Sequence, residues 1–254
     1  METIVQRHIG RLKGKVGWII GGKRVGRVIA RAFAEQGVDL ILTYNRSAKD
    51  SEESAAEVKS LGRRAAVWQC DAADQSSVAG VVEKIKKEFG KLDVLIAMAS
   101  VFDTMPMEKV TERDWDKNIG AHILGTFWPI QLAARIMPPG SHIITIADRT
   151  SVGPMYPNYL PYVVTKEAVV GLTRAAAKEL GGRGIIANAI APGPILPAPD
   201  FDREEWKKIR AASPLKIPID DREAMEQFAL LAIYLAAVTM TSGNVYSLDQ
   251  GQNL

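Results

Sequence analysis

The sequence has few residues that form cross-links or bind metal ions. Cys70 is the only cysteine among the 254 residues, and the three histidines, His8, His122 and His142, lie far apart in the chain. A single cysteine excludes a disulfide within the chain, and these spacings match no familiar arrangement of metal ligands. We therefore expect no metal site and a reducing, cytoplasmic environment.

Neither sign of charge dominates. The chain has 32 Lys and Arg residues against 29 Asp and Glu residues, which leaves a formal charge of +3. This excess is too small and too evenly spread to indicate a nucleic-acid partner. A local group of cations, from Arg7 to Lys15, is more typical of a solvated N-terminal arm than of a binding patch.

Long apolar runs are absent as well. The longest strongly apolar stretch, residues 228–238, has 11 residues, whereas a membrane-spanning helix needs about 20. The first residues of the chain also lack the apolar segment of a signal peptide. We therefore expect no membrane partner, and we expect residues 228–238 to form a buried helix.

Short apolar runs alternate with stretches of helical periodicity along the chain, whose 47% apolar and 24% charged residues are typical of a folded globular protein. Strands are predicted at residues 16–20, 40–44, 65–69, 94–97, 142–146, 185–191 and 245–248. Helices are predicted from residue 25 to Gly37 and at residues 51–61, 76–89, 111–137, 161–180 and 223–238. This order predicts an α/β fold in which helices cover both faces of a seven-stranded parallel sheet.

The first predicted strand leads into a glycine-rich turn and a helix. The turn reads Gly21-Gly22-Lys23-Arg24-Val25-Gly26. The free N–H groups of a helix N-terminus attract a pyrophosphate, and glycine lets the phosphates approach the backbone. The same turn could exist for steric reasons alone.

Charge around this turn favours NADPH over NADH. Asn45, Arg46 and Ser47 follow the second predicted strand, where enzymes that bind NAD usually have an acid for the ribose hydroxyl. Lys23, Arg24 and Arg46 could converge on the 2′-phosphate of NADPH. The alternative is three solvated surface cations.

The clearest chemical pattern is Tyr162-Val163-Val164-Thr165-Lys166. Residues four apart share a helix face, so the ammonium of Lys166 is expected near the phenol of Tyr162. A nearby cation favours the phenolate and lowers the pKa of a tyrosine from about 10. This is what a tyrosine needs to act as a general acid–base.

The order of these features resembles that of the short-chain dehydrogenase/reductase family. Further matches to its motifs stand at Arg11-Leu12-Lys13-Gly14-Lys15-Val16, Cys70-Asp71-Ala72, Ala99-Ser100, Ala191-Pro192-Gly193 and Leu248-Asp249-Gln250-Gly251. The resemblance covers nearly the whole chain and implies one Rossmann-like, doubly wound domain over residues 1–254 that binds NADPH or NADP+. It also implies cofactor contacts from Asp71, Ala72, Ala99, Ser100, Pro192, Gly193 and Ile195.

Within that family, several residues are similar to those of the pteridine reductases. Lys23-Arg24-Val25-Gly26 matches the end of their glycine loop, and Tyr44-Asn45-Arg46-Ser47 matches the end of their second strand. Asp148 stands where most of the family has a catalytic serine. Phe102 stands where an aromatic ring stacks on the pterin, opposite the nicotinamide.

Two roles are open for each of the last two residues. Phe102 could stack on a planar heterocycle, or it could be a core aromatic beneath its loop. Asp148 could accept a hydrogen bond from Tyr162 and help to pass a proton, or it could form a turn or cap a helix.

The sequence departs from the family at three places. Ile20 stands where the family has a glycine, which displaces the first glycine to Gly21, and Met98 replaces an asparagine. His122 stands at the usual catalytic asparagine, which helps to hold a water beside the lysine. A histidine can also hold a water and relay protons, or it can be a hydrogen-bonded helix residue with no part in catalysis.

Together these features predict an NADPH-dependent reductase whose substrate is a small molecule, either a pterin or another compound. Hydride would pass to a C=O or C=N carbon, with Tyr162 as proton donor and Lys166, Asp148 and His122 in catalytic roles. The loop and short helix at about residues 193–218, with Trp206, would close over the substrate. The alternatives are a ketoreductase of a non-pterin substrate and an NADPH-binding sensor or scaffold that has lost catalysis.

We also expect a homodimer or homotetramer. The predicted helices at residues 111–137 and 161–180 have more apolar residues than one sheet face needs, including Phe127, Trp128, Val169 and Leu172. Family members pair these helices across a two-fold axis. Pro129 should kink the first of these helices or end its first half.

Overall fold

The structure, a computed structural model, describes residues 3–155, 157–197 and 201–254. In these residues seven strands form one parallel sheet in the order β3-β2-β1-β4-β5-β6-β7. The strands are β1 Val16–Ile20, β2 Asp39–Tyr44, β3 Ala65–Gln69, β4 Val94–Ala97, β5 His142–Ile146, β6 Ile186–Pro192 and β7 Val245–Leu248. The predicted fold is confirmed, and only two strands differ from the predicted bounds: β2 begins one residue earlier, and β6 is shifted by one residue at both ends.

Helices cover the sheet on both faces. Within the described part of the chain the α-helices are α1 Ile4–Ile9, α2 Lys23–Glu35, α3 Lys49–Ser60, α4 Gln75–Phe89, α5 Glu112–Asn118, α6 Gly125–Ala133, α7 Leu160–Gly181, α8 Arg203–Ala211 and α9 Asp221–Ala237. None of these described helices is both long enough and apolar enough to cross a membrane.

Neighbouring residues of β1 lie in two different apolar clusters, one on each face of the sheet. Ile19 packs in one cluster with Phe33 of α2 and Phe228 of α9. Trp18 packs on the opposite face with Ile85 of α4. Every residue of β1 and β4 is buried, which explains why these strands are apolar without alternation. The apolar stretch after residue 228 lies in α9 and is largely buried, as predicted.

The helix predicted at residues 111–137 is divided by wider turns. α5 is followed by turns of π-helical hydrogen bonding at Ile119–Leu124, then by α6 and a 3₁₀ turn at Ala134–Ile136. Pro129 lies inside α6, so the prediction that the first half of the helix ends at this proline is wrong. The ladder of hydrogen bonds is already irregular before the proline, since a π turn bonds residues five apart.

The N-terminal cations are only partly a solvated arm. The first residues form α1 and a 3₁₀ turn at Gly10–Leu12. Lys15 donates to Asp93 with a distance of 2.8 Å between Nζ and Oδ1. Asp93 is buried at the start of β4 and also accepts from the amide of Val16. Lys15 is therefore an ion-pair partner inside the fold and not a free cation.

The strand order reverses at β1, which has β2 on one side and β4 on the other. In open parallel sheets, ligands bind beyond the carboxyl ends of the strands at such a reversal. β1 ends immediately before Gly21. The fold therefore predicts a ligand site at this edge of the sheet.

Candidate active site

A cavity of about 790 Å³ opens at the carboxyl ends of β1, β2, β3 and β4. The predicted cofactor residues in its walls are Gly21, Gly22, Lys23, Gly26, Asn45, Arg46, Ser47, Asp71, Ala72, Ala99 and Ser100. The predicted residues outside its walls are Arg24, Val25, Tyr162, Lys166, Pro192, Gly193 and Ile195. The structure therefore brings eleven of the predicted cofactor residues together at one cavity.

Both glycines of the turn have left-handed backbone conformations. Gly21 has φ of +75° and Gly22, the N-cap of α2, has φ of +77°, a region that side chains other than glycine rarely adopt. A Cβ on Gly21 would lie 3.0 Å from the Cα of Ala99, and one on Gly22 would overlap the side chain of Met98. The turn thus brings backbone against backbone, although Ile20 replaces the usual first glycine.

The three predicted cations do not converge. Lys23 and Arg46 line the cavity. Arg24 instead donates from its guanidinium to the carbonyl of Pro197, with a distance of 2.6 Å. The expectation that Arg24 faces a 2′-phosphate is therefore corrected, because its side chain is used to hold the loop after β6.

Asp148 takes both of its predicted roles, one with each carboxylate oxygen. The hydroxyl of Tyr162 donates to Oδ2 with a distance of 2.7 Å. Oδ1 accepts from the amide and the hydroxyl of Thr150, each at 2.9 Å, and so caps the 3₁₀ turn that follows. Asp148 is only 8% exposed. Its carboxylate is therefore fixed against the phenol by the turn that it caps.

Lys166 lies on the same helix as Tyr162, one turn further along, and is buried. Its ammonium donates to the carbonyl of Ile146 at 2.8 Å and lies 5.8 Å from the centre of the Tyr162 ring. Burial lowers the pKa of Lys166 to about 8, while the charge of Asp148 acts in the opposite direction. The lysine is thus a buried group that is still largely charged at neutral pH.

His122 uses both ring nitrogens for contacts within the protein. The amide of Val101 donates to Nε2 at 3.2 Å, so the proton belongs on Nδ1, which lies 2.8 Å from the hydroxyl of Thr165. The hydroxyl of Ser100 is also 3.0 Å from Nε2. Burial, with the charge of Lys166, lowers the pKa of His122 to about 3. This arrangement favours the interpretation of a hydrogen-bonded helix histidine over a water-holding catalytic group.

The wide turns at Ile119–Leu124 place His122 between the cavity and the catalytic helix. Its ring meets that of Tyr162 edge to face, with centres 5.4 Å apart. Ser100 and Val101 are walls of the cavity. The imidazole therefore connects the cavity wall to the residues that carry the phenol.

An aromatic cluster stands beside the phenol. Phe102 stacks on Tyr159 with ring centres 4.6 Å apart, and its edge meets Tyr162 at 4.8 Å. Phe102 is 52% exposed, which excludes the interpretation as a core residue. Sequence reasoning missed Tyr159, although its position three residues before Tyr162 could have indicated a shared helix face.

The residues predicted near the substrate loop are held by the protein itself. Trp206 is 9% exposed, and its indole N–H donates to Asp221 at 3.0 Å, which joins α8 to α9. The carbonyl of Ile195 accepts from Arg210 of α8. Residues 198–200 of the predicted loop lie outside the described residues. Trp206, which was predicted to close over the substrate, thus lies buried between two helices.

Pro192 ends β6, and Gly193 follows it against the C-terminal residues. A Cβ on Gly193 would lie 2.8 Å from the Cα of Asp249. The two motifs that the sequence places after β6 and β7 are therefore neighbours in space. In the described residues no three His, Cys, Asp or Glu side chains gather as metal ligands would.

Comparison with known proteins gives matches over most of the chain. A family model described as "Enoyl-(Acyl carrier protein) reductase" matches residues 22–253. A D-threitol dehydrogenase of Mycolicibacterium smegmatis is 29% identical over 250 residues, covering 96% of this chain and 95% of the relative. A 3-oxoacyl-(acyl-carrier-protein) reductase of Staphylococcus aureus is 34% identical over 180 residues, covering 70% and 73%.

A solved structure is similar over the same extent. The short-chain dehydrogenase of Burkholderia cenocepacia in complex with NADP superposes with a TM-score of 0.86 at 28% identity, covering 96% of this chain and all of that one. The fold and the sequence thus lead to the same group of proteins.

Proposed function

The chain belongs to the short-chain dehydrogenase/reductase family, and from this premise we propose that it is an NADPH-dependent reductase of a small molecule with a C=O or C=N bond. The observation that carries the proposal is the buried hydrogen bond from Tyr162 to Asp148, with Lys166 one helical turn away. Burying a charged lysine costs stability. A protein without catalysis would gain nothing from this arrangement.

The cavity has the features that a dinucleotide needs. No side chain caps the N-terminus of α2, so its first amides could bind a pyrophosphate. Lys23 and Arg46 supply cations for a 2′-phosphate. The Burkholderia relative binds NADP, which supports the same cofactor here. When bound, NADPH supplies the hydride.

The side chains of this chain would handle the proton. Tyr162 gives its hydroxyl proton to the oxygen or nitrogen of the reduced bond. The ammonium of Lys166 stabilises the phenolate that remains. Asp148 keeps the hydroxyl oriented before the reaction, and afterwards it takes up a proton from solvent and passes it to the phenolate of Tyr162. Backbone groups of Pro192 and Gly193 hold the carboxamide of the nicotinamide.

For the substrate, we propose a planar ring that contacts Phe102, whose side chain is half exposed beside Tyr162. A pterin has this shape, and offset stacking on an aromatic ring contributes about 0.5–1.5 kcal/mol beyond the burial of area. The second candidate is a ketone of another class. It is favoured by the similar proteins, which include a threitol dehydrogenase and an oxoacyl reductase.

The test is NADPH oxidation against dihydropterins, quinones, ketones and acyl thioesters, with NADPH binding measured in parallel. Turnover of any of these compounds supports a reductase, and the preferred class identifies the substrate. NADPH binding at micromolar concentration without turnover of the whole panel would instead favour the sensor or scaffold.

The cofactor preference gives a separate prediction. Arg46→Ala should raise the Kd for NADPH by about tenfold or more and leave the Kd for NADH nearly unchanged, because only NADPH has the 2′-phosphate. Arg24→Ala is the matched control, since its guanidinium is bound to Pro197. Equal effects of the two substitutions on NADPH binding would contradict the assignment.

We further propose that the chain acts as one domain in the cytoplasm and as a homodimer or homotetramer. Of the apolar residues expected on the pairing surface, Val169 is buried within the chain and is not available. Ile119 and Val164 are exposed there instead. These two side chains, with Phe127 and Trp128 of α6, support pairing between subunits through α7 and the helical region of residues 112–133.

A further inference from the structure

The residues after β7, which we term the C-terminal segment (residues 249–254), contact the catalytic loop and the region of α8. The segment starts with the buried Asp249, whose Oδ1 accepts from the amide of Gly251 at 2.9 Å. Gln250 has φ of +54°, which is uncommon for a residue with a side chain. The segment therefore has a defined turn and not an extended tail.

On one side the segment packs against the loop that begins with Asp148. The backbone of Gly153 lies so close that a Cβ there would be 2.5 Å from the Cα of Asn253 and 2.8 Å from its carbonyl oxygen. The guanidinium of Arg149, the residue after Asp148, lies 3.4 Å from the carbonyl of Gln252. The backbone contact at Gly153 allows no larger residue without movement.

On its other side the segment holds the residues at the end of α8. The amide of the Gln252 side chain donates to the hydroxyl of the buried Ser213 at 2.6 Å and to the carbonyl of Ile209 at 3.3 Å. Two residues after Ser213, the amide of Leu215 donates to the carbonyl of Gln250 at 3.0 Å. Gln252 thus contacts both regions, one through its backbone and one through its side chain.

We propose that Gln252 is a positioning residue that sets the distance between the catalytic loop and α8, and thereby the size of the substrate site. This inference rests on the proposed function, because it assumes that the substrate binds between the Asp148 loop and α8. The two regions are more than 50 residues apart in the sequence. A shift of the C-terminal segment moves both of them together.

The first test is the kinetics of Gln252→Ala and of Gln252→Met, which keeps the length of the side chain and removes the amide donor. Both should raise the KM for the substrate by about fivefold, since a side-chain hydrogen bond contributes about 1 kcal/mol. The kcat and the Kd for NADPH should change less than twofold. The matched control is Gln227→Ala, because Gln227 is an exposed glutamine whose side chain contacts Glu223 on its own helix. Two results would overturn the proposal. One is a fall of kcat in the Gln252 variants as large as the rise of KM, and the other is the same rise of KM in Gln227→Ala.

The second test needs no turnover, so it separates this inference from the reductase proposal. Hydrogen exchange is measured on peptides that cover residues 149–154 and 203–213, in the wild type and in Gln252→Ala and Gly153→Ala. The proposal predicts faster exchange in both peptides in both variants, since Gly153→Ala displaces the segment from the other side. Faster exchange in only the peptide next to the substitution, in either variant, would overturn it.

Discussion

At the scale of single residues, the site depends on how charges are arranged around one phenol. The carboxylate of Asp148 accepts a hydrogen bond from the hydroxyl of Tyr162, which favours the neutral phenol, and the ammonium of Lys166 favours the phenolate. The opposed charges suit a group that must hold a proton and then release it. The neutral His122 contributes hydrogen bonds to this arrangement but no charge.

The pH dependence of kcat should reflect Lys166 and not His122. The pKa of Lys166 is about 8, so its charge is present below that pH and is lost above it. Turnover should therefore fall above about pH 8. Because the pKa of His122 is about 3, this ring stays neutral near pH 6.5 and should produce no change in rate there.

The measurement is kcat from pH 5 to 10 for the wild type and for His122→Asn. The substitution should lower kcat, because it breaks contacts to Val101 and Thr165, but both profiles should have the same shape. A step near pH 6.5 that disappears in His122→Asn would mean that the histidine is a proton carrier after all.

At the scale of elements, the turn between β1 and α2 is the part of the cofactor site most sensitive to substitution. Gly21→Ala should weaken NADPH binding by tenfold or more, because the new Cβ would press on the backbone of Ala99 as well as strain the turn. Isothermal titration with NADPH measures this change.

The control for this prediction is Gly62→Ala. Gly62 has the same φ of +75°, but a Cβ there has open space. It should lose about 1–2 kcal/mol of stability from the left-handed conformation and bind NADPH as the wild type does. Equal weakening of NADPH binding by both substitutions would refute a specific role for the Gly21 turn.

The strands could be predicted closely and the side-chain contacts could not. β1 and β4 are buried on both faces, so each is a run without charged or polar side chains, and each begins directly after a charged residue. The contact of Arg24 with Pro197 spans 173 residues. No local pattern indicates such a partner, and Arg24 was therefore expected at the phosphate.

The same limit applied to the division of the helix around His122. The apolar residues keep their helical spacing through the wide turns at Ile119–Leu124, so the pattern does not show where the helix divides. Pro129 lies after this division and does not mark it. Tyr162, Lys166 and Asp148 could be predicted because the first two share a helix face and the third follows a recognisable strand. The contact of Asp148 with Thr150, which fixes its carboxylate, became visible only in the structure.

At the scale of the whole molecule, a histidine far from the site should affect stability in acid. His142 begins β5, at the amino-terminal edge of the sheet, and is 5% exposed. Within the described structure its Nδ1 has no hydrogen-bond partner. Burial lowers the pKa of His142 to about 4, so the folded protein keeps the ring neutral in mild acid.

The unfolded chain takes up this proton near pH 6.5, whereas the folded chain resists it until about pH 4. The stabilisation is therefore full above pH 6.5 and is lost as the pH falls toward 4, by roughly 3 kcal/mol. Urea unfolding at pH 7 and pH 4.5 measures this loss. His142→Val should reduce it, and an unchanged pH dependence in that variant would contradict the prediction.

The central claim is that Tyr162 supplies the proton for a reduction that uses NADPH. Tyr162→Phe removes one oxygen and keeps the ring between Phe102 and His122. The most direct measurement is single-turnover oxidation of bound NADPH in this variant, with the best substrate of the panel and with the Kd for NADPH determined on the same sample. The account predicts an unchanged Kd and a rate at least a hundredfold lower, as expected for the loss of a general acid. A rate equal to that of the wild type, with NADPH bound, would contradict it.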